Sequence, residues 1–323
     1  MTDPASSIEL TDLEPTAADM TALVIEGLSK PQKTLPTAFL YDEAGSELFD
    51  AITDLPEYYP TRTELSIMRE SLPQMAQAVG PEALVIEYGS GTGLKTRQLL
   101  RALQSPVGYV PVEISREFLM TSAAKLQDEF AQLEVLPVCA DFTEPFEVPE
   151  PSKPARRRAL YFPGSTIGNF RPEFATRLLR QMHEEVGKGG CALIGVDLVK
   201  DVQVLEAAYN DSAGVTARFN LNMLSRANAE LGADFDVEAF RHRAVWVESR
   251  GSIEMRLYAR RPTAVTLAGK RFTFETGEYI HTEDSHKYSL EGFAELANAG
   301  GFDVAQVWTD EAKYFSVHYL QAR

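Results

Sequence analysis

A glycine-rich turn follows an apolar strand pattern in the segment ALVIEYGSGTGLKTR, residues 83–97. Glycine occurs there at three alternate positions, and its missing side chain permits left-handed backbone and close approach of a ligand to the main chain. A turn of this kind between a strand and a helix is typical of α/β folds that hold a nucleotide-like cofactor at the carboxyl end of the strand. A turn that only reverses the chain tightly is the alternative.

Strand and helix patterns alternate around this turn. The apolar runs ALVIEYG, VGYVPVEIS, LEVLPVCADF, ALYFPGST and GGCALIGVDL are separated by helical patterns, which predicts a parallel, doubly wound, Rossmann-like α/β sheet. After residue 200 a helical pair and antiparallel-looking strands predict an inserted α+β substrate-binding domain. We therefore expect an N-terminal segment at 1–60, the sheet domain at 61–200, the insert at 201–285 and a return to the sheet domain at 286–323.

Charge and composition exclude several classes of protein. The net charge of −16 would repel nucleic-acid phosphates, so no nucleic-acid partner is expected. Cys139 and Cys191 lie in apolar runs, as in reducing compartments, and there is no apolar stretch of membrane-spanning length or secretory signal pattern. These features predict a cytoplasmic protein without a membrane partner. His281 and His286, the nearest histidine pair, lie five apart in a predicted loop, so no metal site is expected.

The spacing of the turn discriminates between cofactors. Glu87, Gly89, Gly91 and Gly93 form E-x-G-x-G-x-G, whereas a dinucleotide fingerprint needs a glycine at the position of Leu94. An acidic residue at the strand end with three alternating glycines is typical of methyltransferases that bind S-adenosyl-L-methionine. We therefore expect this cofactor, with Glu87, Gly89 and Gly91 among its contacts; a dehydrogenase is the disfavoured alternative.

Three further segments fit the same cofactor. Glu113, at the end of YVPVEIS, is placed to accept hydrogen bonds from both ribose hydroxyls, although an acidic residue there serves NAD equally well. In CADF, Asp141 can bind the adenine amino group while Phe142 lies against the ring. Ser90 and Lys95, from the glycine turn and the helix after it, complete the predicted cofactor-binding set.

Longer motifs resemble one known family. FLYDEAGSELFDAITDLPEYYPTRTE, YGSG…KTR, GSTIGNF, DLVKD, AYNDSAGVTARFNLNMLSRANAEL and TEDS are together similar to the L-histidine Nα-methyltransferases of ergothioneine biosynthesis, from about Leu35 to the C-terminus. The resemblance implies a class I methyltransferase sheet, and a second domain formed by the N-terminal segment and the insert, with histidine bound between the domains. It further implies trimethylation of the α-amino group of L-histidine to hercynine. The alternative is an enzyme of this fold that methylates another α-amino acid, such as tryptophan or tyrosine; a binding-only protein is disfavoured. A monomer is expected.

The resemblance also assigns substrate-binding residues. It implies that Asn169 and Tyr209 hold the substrate α-carboxylate, whereas a cap for the helix near Pro172 and a core aromatic are their alternative roles. Glu283 and Ser285 of TEDS would bind the two imidazole nitrogens, because a neutral imidazole offers one donor and one acceptor. A solvated acidic loop is the alternative reading of TEDS.

Aromatic residues of the N-terminal segment are the expected surroundings of the amine. The resemblance places Tyr41 and Tyr58 near the amino group, as the catalytic pair, because aromatic faces stabilise a developing ammonium without an N–H donor. Packing between the domains is their alternative role. No general base is evident, so we expect catalysis by positioning, with water or a tyrosine-linked water as the proton acceptor. The remaining predicted pocket residues are Phe49, Gly164, Thr166 and Met255.

Overall fold

The computed structural model describes residues 8–13, 17–91 and 93–323, so the predicted segment 1–60 begins outside the described residues. The helices are α1 (Ala17–Ser29), α2 (Glu43–Thr53), α3 (Tyr59–Val79), α4 (Leu94–Ala102), α5 (Arg116–Glu129), α6 (Pro172–Val186), α7 (Val202–Tyr209), α8 (Val215–Leu231) and α9 (Leu290–Ala299). The strands of the large sheet are β1 (Thr11–Asp12), β2 (Ala83–Tyr88), β3 (Gly108–Glu113), β4 (Glu134–Val135), β5 (Val138–Cys139), β6 (Arg157–Phe162), β7 (Cys191–Asp197), β13 (Phe302–Thr309) and β14 (Phe315–Ala322). The smaller sheets contain β8 (Phe240–Val247), β9 (Ser252–Ala259), β10 (Thr263–Leu267), β11 (Lys270–Phe274) and β12 (Tyr279–His286).

The large sheet confirms the predicted doubly wound α/β fold. Its strands run in the order β1-β5-β3-β2-β6-β7-β14-β13, with β4 also beside β3. Its pairs are parallel except at β14, which is antiparallel to both β7 and β13. The chain moves from β2 to β3 on one side and later to β6 on the other, so the strand order reverses at β2. In such sheets, ligands bind at the carboxyl end of the strand where the order reverses.

Strand β2 shows why this sheet is covered on both faces. Leu84, Ile86 and Tyr88 belong to one apolar cluster, while Ala83 and Val85 belong to another. Side chains alternate between the two faces of a strand, and a parallel sheet packs helices on both faces. A continuous apolar run therefore suits a central strand, and every residue of β2 is buried.

A third apolar cluster lies outside the large sheet. It joins Val24 and Phe39 from the N-terminal part of the chain to Phe219, Leu257 and Ile280. The antiparallel strands β12-β9-β8 and the pair β10-β11 belong to this region. The N-terminal segment thus packs with the insert, although α3 continues through residue 60 and β12 through residue 285. The domain boundaries themselves remain a prediction.

The TEDS segment is not a loop, contrary to the sequence-based prediction. It lies inside β12, together with His281 and His286. Glu283 and Ser285 are respectively 6% and 5% exposed. Hydrophobic patterning does not reveal a strand whose buried residues are polar and are paired with residues from distant parts of the chain, as in β12. The predicted strand LEVLPVCADF is also shorter than expected, because β4 and β5 are separated by Leu136–Pro137.

Within the described ranges, no helix has the length and apolar character needed to cross a bilayer. Cys139 and Cys191 are both buried and unbridged, as expected for core positions.

Candidate active site

The glycine turn lies directly after β2, at the reversal of strand order. Gly89, Gly91 and Gly93 have φ angles of 66°, 48° and 70°, a region that favours glycine. A Cβ atom added at Gly89 would meet only Phe142 Cε1, at 3.9 Å, so the turn borders open space. The hydroxyl of Ser90 is buried in this turn without a hydrogen-bond partner among the described residues. An open backbone cradle with an unpaired polar atom fits a bound small molecule.

Glu87 supports the turn from within the sheet. Its carboxylate accepts hydrogen bonds from Thr96 Oγ1 at 2.7 Å and from Tyr109 Oη at 2.6 Å. Burial raises the pKa of Glu87 to about 8, while these two hydrogen bonds act in the opposite direction. A direct contact between Glu87 and a cofactor remains a prediction, since its carboxylate already bonds to the protein.

The other predicted cofactor residues follow the neighbouring strands. Glu113 ends β3, where its partly buried carboxylate accepts a hydrogen bond from the amide of Ile114 at 2.9 Å. Burial raises the pKa of Glu113, although backbone hydrogen bonds oppose the shift. Asp141 accepts from the amide and the hydroxyl of Thr143 at 2.9 and 2.7 Å. Both carboxylates therefore stand at the same edge of the sheet as the glycine turn.

Phe142 completes this edge with its ring. It stacks on Tyr88, with ring centroids 5.1 Å apart and planes inclined by 18°. It also makes edge contacts with Phe162 and Phe170. This packing holds the ring beside Gly89, where it can form one wall for a flat ligand group.

Lys95 connects the glycine turn with the turn after β6. Its ammonium pairs with the buried carboxylate of Glu64 in α3, which also accepts a hydrogen bond from the amide of Gly164 at 2.9 Å. Glu64 was not predicted from the sequence as a residue of the site. The one sign of such a role was its charge near the start of the helix in the YYPTRTE motif. This carboxylate joins three segments that border the site.

Besides the open space at the glycine turn, a cavity lies beside the insert. All ten residues that the sequence predicts for the substrate and the catalytic pair line it: Tyr41, Phe49, Tyr58, Gly164, Thr166, Asn169, Tyr209, Met255, Glu283 and Ser285. Its further lining residues include Thr216 and Phe219, which were not predicted. A larger cleft of about 560 Å³ lies beside the end of β3 and the start of α5. Tyr41 lines both spaces, so this residue stands where the two regions meet.

Glu283 and Asn169 are joined across the cavity wall. The Asn169 amide donates to Glu283 Oε1 at 3.0 Å. Met255 lies opposite Glu283 on the neighbouring strand β9. Burial, followed by the nearby Asp284 carboxylate, raises the pKa of Glu283 to about 8. The alternative role of Asn169 as a cap for α6 has no support here, since the N-cap position is Arg171 and it makes no side-chain cap.

Close packing makes this contact possible. Asn169 ends a short 3₁₀ turn, Thr166–Asn169, that lies against β12. A Cβ atom at Gly168 would stand 2.6 Å from the carbonyl oxygen of His286, a distance that excludes any side chain. Glycine in the GNF motif thus lets the turn approach the strand and brings Asn169 to Glu283.

Tyr209 and Ser285 form the other polar wall. The Tyr209 hydroxyl lies 2.8 Å from Ser285 Oγ, and Lys287 donates to both oxygens at 2.9 and 2.8 Å. The Lys287 ammonium also pairs with Asp197, at 2.7 Å from Oδ2. Burial opposes the charged form of Asp197, but Lys287 and Lys200 lower its pKa below the usual value. Lys287 was not predicted as a residue of the site, and Asp197 had no predicted role. Asp197 is the one charged residue of the apolar strand β7, which it ends.

Aromatic rings enclose the remaining side of the cavity. Tyr41 makes edge contacts with Phe49 and Phe219, at centroid distances of 5.9 and 5.7 Å, and Tyr58 lies 6.2 Å from the ring of Tyr209. Burial is the first cause that raises the pKa values of Tyr41 and Tyr58 well above the usual value. Both phenols therefore stay protonated near neutral pH. The wall can stabilise a cation through its ring faces, but it offers no phenolate base.

Comparison with known proteins agrees with this geometry. The profile of a family described as "Histidine-specific methyltransferase, SAM-dependent" matches residues 20–322. A Mycobacterium tuberculosis protein named histidine N-alpha-methyltransferase is 43% identical over 91% of this chain and 92% of its own length. A protein of the same name from Mycolicibacterium smegmatis is 41% identical over 90% of this chain and 91% of its own. The Neurospora crassa protein named ergothioneine biosynthesis protein 1 is 29% identical over 89% of this chain and 33% of its own length. The chain belongs to the family of SAM-dependent, histidine-specific methyltransferases.

Proposed function

We propose that this protein transfers methyl groups from S-adenosyl-L-methionine to the α-amino group of L-histidine, three times, and so forms hercynine in the first step of ergothioneine biosynthesis. Family membership and the names of the mycobacterial relatives support the substrate and the reaction. The observation that carries the proposal is the cavity in which a buried carboxylate, a paired hydroxyl and an aromatic wall meet beside Gly164, which Lys95 approaches from the helix after the glycine turn.

Recognition of the imidazole follows from strand geometry. Glu283 and Ser285 are two residues apart on β12, so both side chains point to the same face, about 7 Å apart along the strand. The carboxylate can accept the ring N–H while the hydroxyl donates to the other nitrogen. Tryptophan or tyrosine would leave one of these buried groups unpaired, at a cost of about 1–3 kcal/mol.

The rest of the amino acid is held by the remaining walls. Asn169 has a second N–H besides the one given to Glu283, and with Tyr209 it would bind the α-carboxylate. The α-amine would then face Tyr41 and Tyr58. It must be neutral to attack a methyl group, and the ammonium that forms is stabilised by about 0.5–2 kcal/mol at aromatic faces. The same faces tolerate one, two or three methyl groups because they require no N–H.

The cofactor would lie on the glycine turn, which has the open cradle and the unpaired Ser90 hydroxyl that such a ligand needs. When bound, it supplies an electrophilic methyl group. The residues proposed to hold it are Glu87, Gly89, Ser90, Gly91, Lys95, Glu113, Asp141 and Phe142. Tyr41, which lines both the substrate cavity and the cleft beside the end of β3, would keep water from the reacting groups and orient the amine. Catalysis then consists of positioning, and water removes each proton.

Organisation beyond the site is proposed as well. Residues 61–200 with 286–323 would form the cofactor domain, and residues 1–60 with 201–285 the substrate domain, in a cytoplasmic monomer. The shared apolar cluster of the N-terminal segment and the insert supports this division. Analytical ultracentrifugation with and without both ligands would test the monomer.

The function is tested with a panel of amino acids. The purified protein is incubated with isotope-labelled S-adenosyl-L-methionine and each amino acid, and the products are identified by mass spectrometry. We expect L-histidine to gain three methyl groups, all on the α-nitrogen, while heat-inactivated protein transfers none. Transfer to tryptophan or tyrosine without transfer to histidine would contradict the substrate assignment and favour the alternative enzyme of the same fold.

A further inference from the structure

Lys287 is a buried cation directly behind the substrate cavity. Its side chain is 0% exposed, and it does not belong to the residues that line the cavity. Its ammonium donates to Tyr209 Oη at 2.9 Å and to Ser285 Oγ at 2.8 Å, and it pairs with Asp197 Oδ2 at 2.7 Å. All three N–H groups of the ammonium therefore have partners.

The hydrogen atoms of the two hydroxyls can be counted from these contacts. Tyr209 and Ser285 share one hydrogen bond of 2.8 Å, which uses one of their two hydroxyl hydrogens. The other hydrogen cannot point to Lys287, because an ammonium has no acceptor. Among the described residues, no further acceptor takes it. One hydroxyl hydrogen therefore remains for the cavity that both residues line.

We propose that Lys287 is a positioning residue that turns the Tyr209–Ser285 pair into a fixed hydrogen-bond donor, so that this wall binds an acceptor atom of the substrate. The inference rests on the proposed function. Because the pair presents one hydrogen, it makes only one of the two contacts proposed above: Ser285 with an unprotonated ring nitrogen, or Tyr209 with a carboxylate oxygen. Glu283 supplies the complementary wall, because it can accept an N–H. If the acceptor is a ring nitrogen, the two walls together distinguish the two nitrogens of one neutral imidazole tautomer.

Asp197 supplies the counter-charge for Lys287, and its second lysine partner, Lys200, offers a matched control. Lys200 donates to the other carboxylate oxygen of Asp197, Oδ1, at 2.5 Å, and to Tyr59 Oη at 2.7 Å. Its contacts do not include Tyr209 or Ser285. Replacement of either lysine by methionine thus removes one buried cation beside Asp197, but only the Lys287 variant frees the two hydroxyls to turn.

The experiment compares Lys287→Met with Lys200→Met by calorimetric titration of L-histidine into protein saturated with S-adenosylhomocysteine. We expect the Kd for histidine to rise at least 30-fold in Lys287→Met and less than threefold in Lys200→Met, while the Kd for S-adenosylhomocysteine changes less than threefold in both. Equal losses of histidine affinity in the two variants would overturn the proposal, since charge balance at Asp197 alone would then explain them. So would an equal loss for both ligands in Lys287→Met.

Titration with histamine identifies the acceptor atom. A loss in Lys287→Met that appears with L-histidine but not with histamine assigns the hydrogen to the carboxylate, and a loss with both assigns it to the ring. Activity of the unmodified protein on the amino-acid panel tests the proposed function by itself. If another amino acid is the substrate, the Kd values of the two lysine variants are compared with that amino acid instead of histidine. Failure of the proposed function is thus distinguishable from failure of the role proposed for Lys287.

A second set of variants leaves Lys287 untouched, in case its replacement prevents folding. Tyr209→Phe and Ser285→Ala each remove one oxygen of the donor pair. The hydroxyl that remains keeps its own hydrogen, so only loss of the hydroxyl that donates to the substrate removes the contact. We therefore expect one of the two variants to raise the Kd for histidine at least tenfold and the other less than threefold, and the double variant to be no more than twice as weak as the weaker single variant. Losses that multiply in the double variant would show two independent contacts and would refute a single donor.

Discussion

The two sides of the site are built in different ways. The proposed cofactor side is centred on a turn of consecutive residues after β2, whose shape depends on left-handed glycines and open backbone, with the buried carboxyl of Glu87 behind it. The substrate side draws on the N-terminal segment, the turn after β6, α7, β9 and β12, and it depends on buried ionisable groups such as Glu283, Lys287 and Asp197. Backbone shape is local and tolerates changes elsewhere, whereas a buried charge needs its partner. The substrate side should therefore be the more sensitive to single substitutions of polar residues.

The largest effect is expected for Asp197→Ala. This change leaves Lys287 and Lys200 buried without their shared counter-ion, which should cost about 3–5 kcal/mol of unfolding free energy. Urea denaturation measures the loss. Asp303→Ala is the control, because that carboxylate is exposed and lies 3.9 Å from Arg323, where about 0–1 kcal/mol is expected. Similar losses in the two variants would show that the substrate side does not depend on its buried charges.

Gly89→Ala should separate the cofactor side from the substrate side. Gly89 and Gly232 have similar positive φ angles, 66° and 68°, so alanine at either position should cost about 1–2 kcal/mol of stability. Only the methyl group at Gly89 enters the proposed cradle; that at Gly232, the residue after α8, meets nothing within 4 Å. We therefore expect calorimetry to show at least a tenfold weaker Kd for S-adenosylhomocysteine in Gly89→Ala alone. Equal affinity in both variants would place the cofactor elsewhere.

Glu283→Ala should affect the opposite ligand. A hydrogen bond to a charged group is lost, so kcat/KM for histidine should fall about 10- to 100-fold, equivalent to about 1.5–3 kcal/mol. The Kd for S-adenosylhomocysteine should change less than threefold. Glu254→Ala serves as the control: this carboxylate is also buried, on the neighbouring strand, but it pairs with Arg250 and Arg256. Parallel losses for both ligands in Glu283→Ala would contradict its role in substrate recognition.

The smallest effect concerns pH. Burial raises the pKa values of Glu283 and Glu87 to about 8, so the folded protein keeps protons that the unfolded chain has already lost. The stability from this source is complete below the ordinary carboxyl pKa and declines as the pH rises towards 8, with a slope of at most about 1.4 kcal/mol per pH unit for each group. Glu283→Gln and Glu87→Gln should each reduce this slope in urea denaturation.

Histidine distinguishes the two carboxyls. A ring N–H that donates to Glu283 favours its ionised form, so bound histidine should flatten the slope in the Glu87→Gln protein, where Glu283 still titrates. It should leave the slope of Glu283→Gln unchanged, since Glu87 bonds to Thr96 and Tyr109 rather than to the cavity. An identical response of the two variants would indicate that neither carboxyl contacts the substrate.

Local patterns were sufficient for much of the fold. Helix α6 has the bounds Pro172–Val186 that its sequence pattern predicts, because proline at the first turn, amphipathic spacing and a following glycine all act within a few residues. The TEDS strand was missed for the opposite reason. Its polar residues are stabilised by Asn169, Tyr209 and Lys287, which a short window of sequence cannot pair with them.

By itself, the sequence determined the alternation of strands and helices and the glycine turn, because these depend on backbone conformations that neighbouring residues set. The motif resemblance added ten of the fifteen residues that line the cavity. Only the tertiary structure decided that Lys287 lies behind Tyr209 and Ser285 and that burial raises the pKa of Glu283. Burial and charge pairing arise from contacts between distant segments, and their energies exist only once the chain has folded.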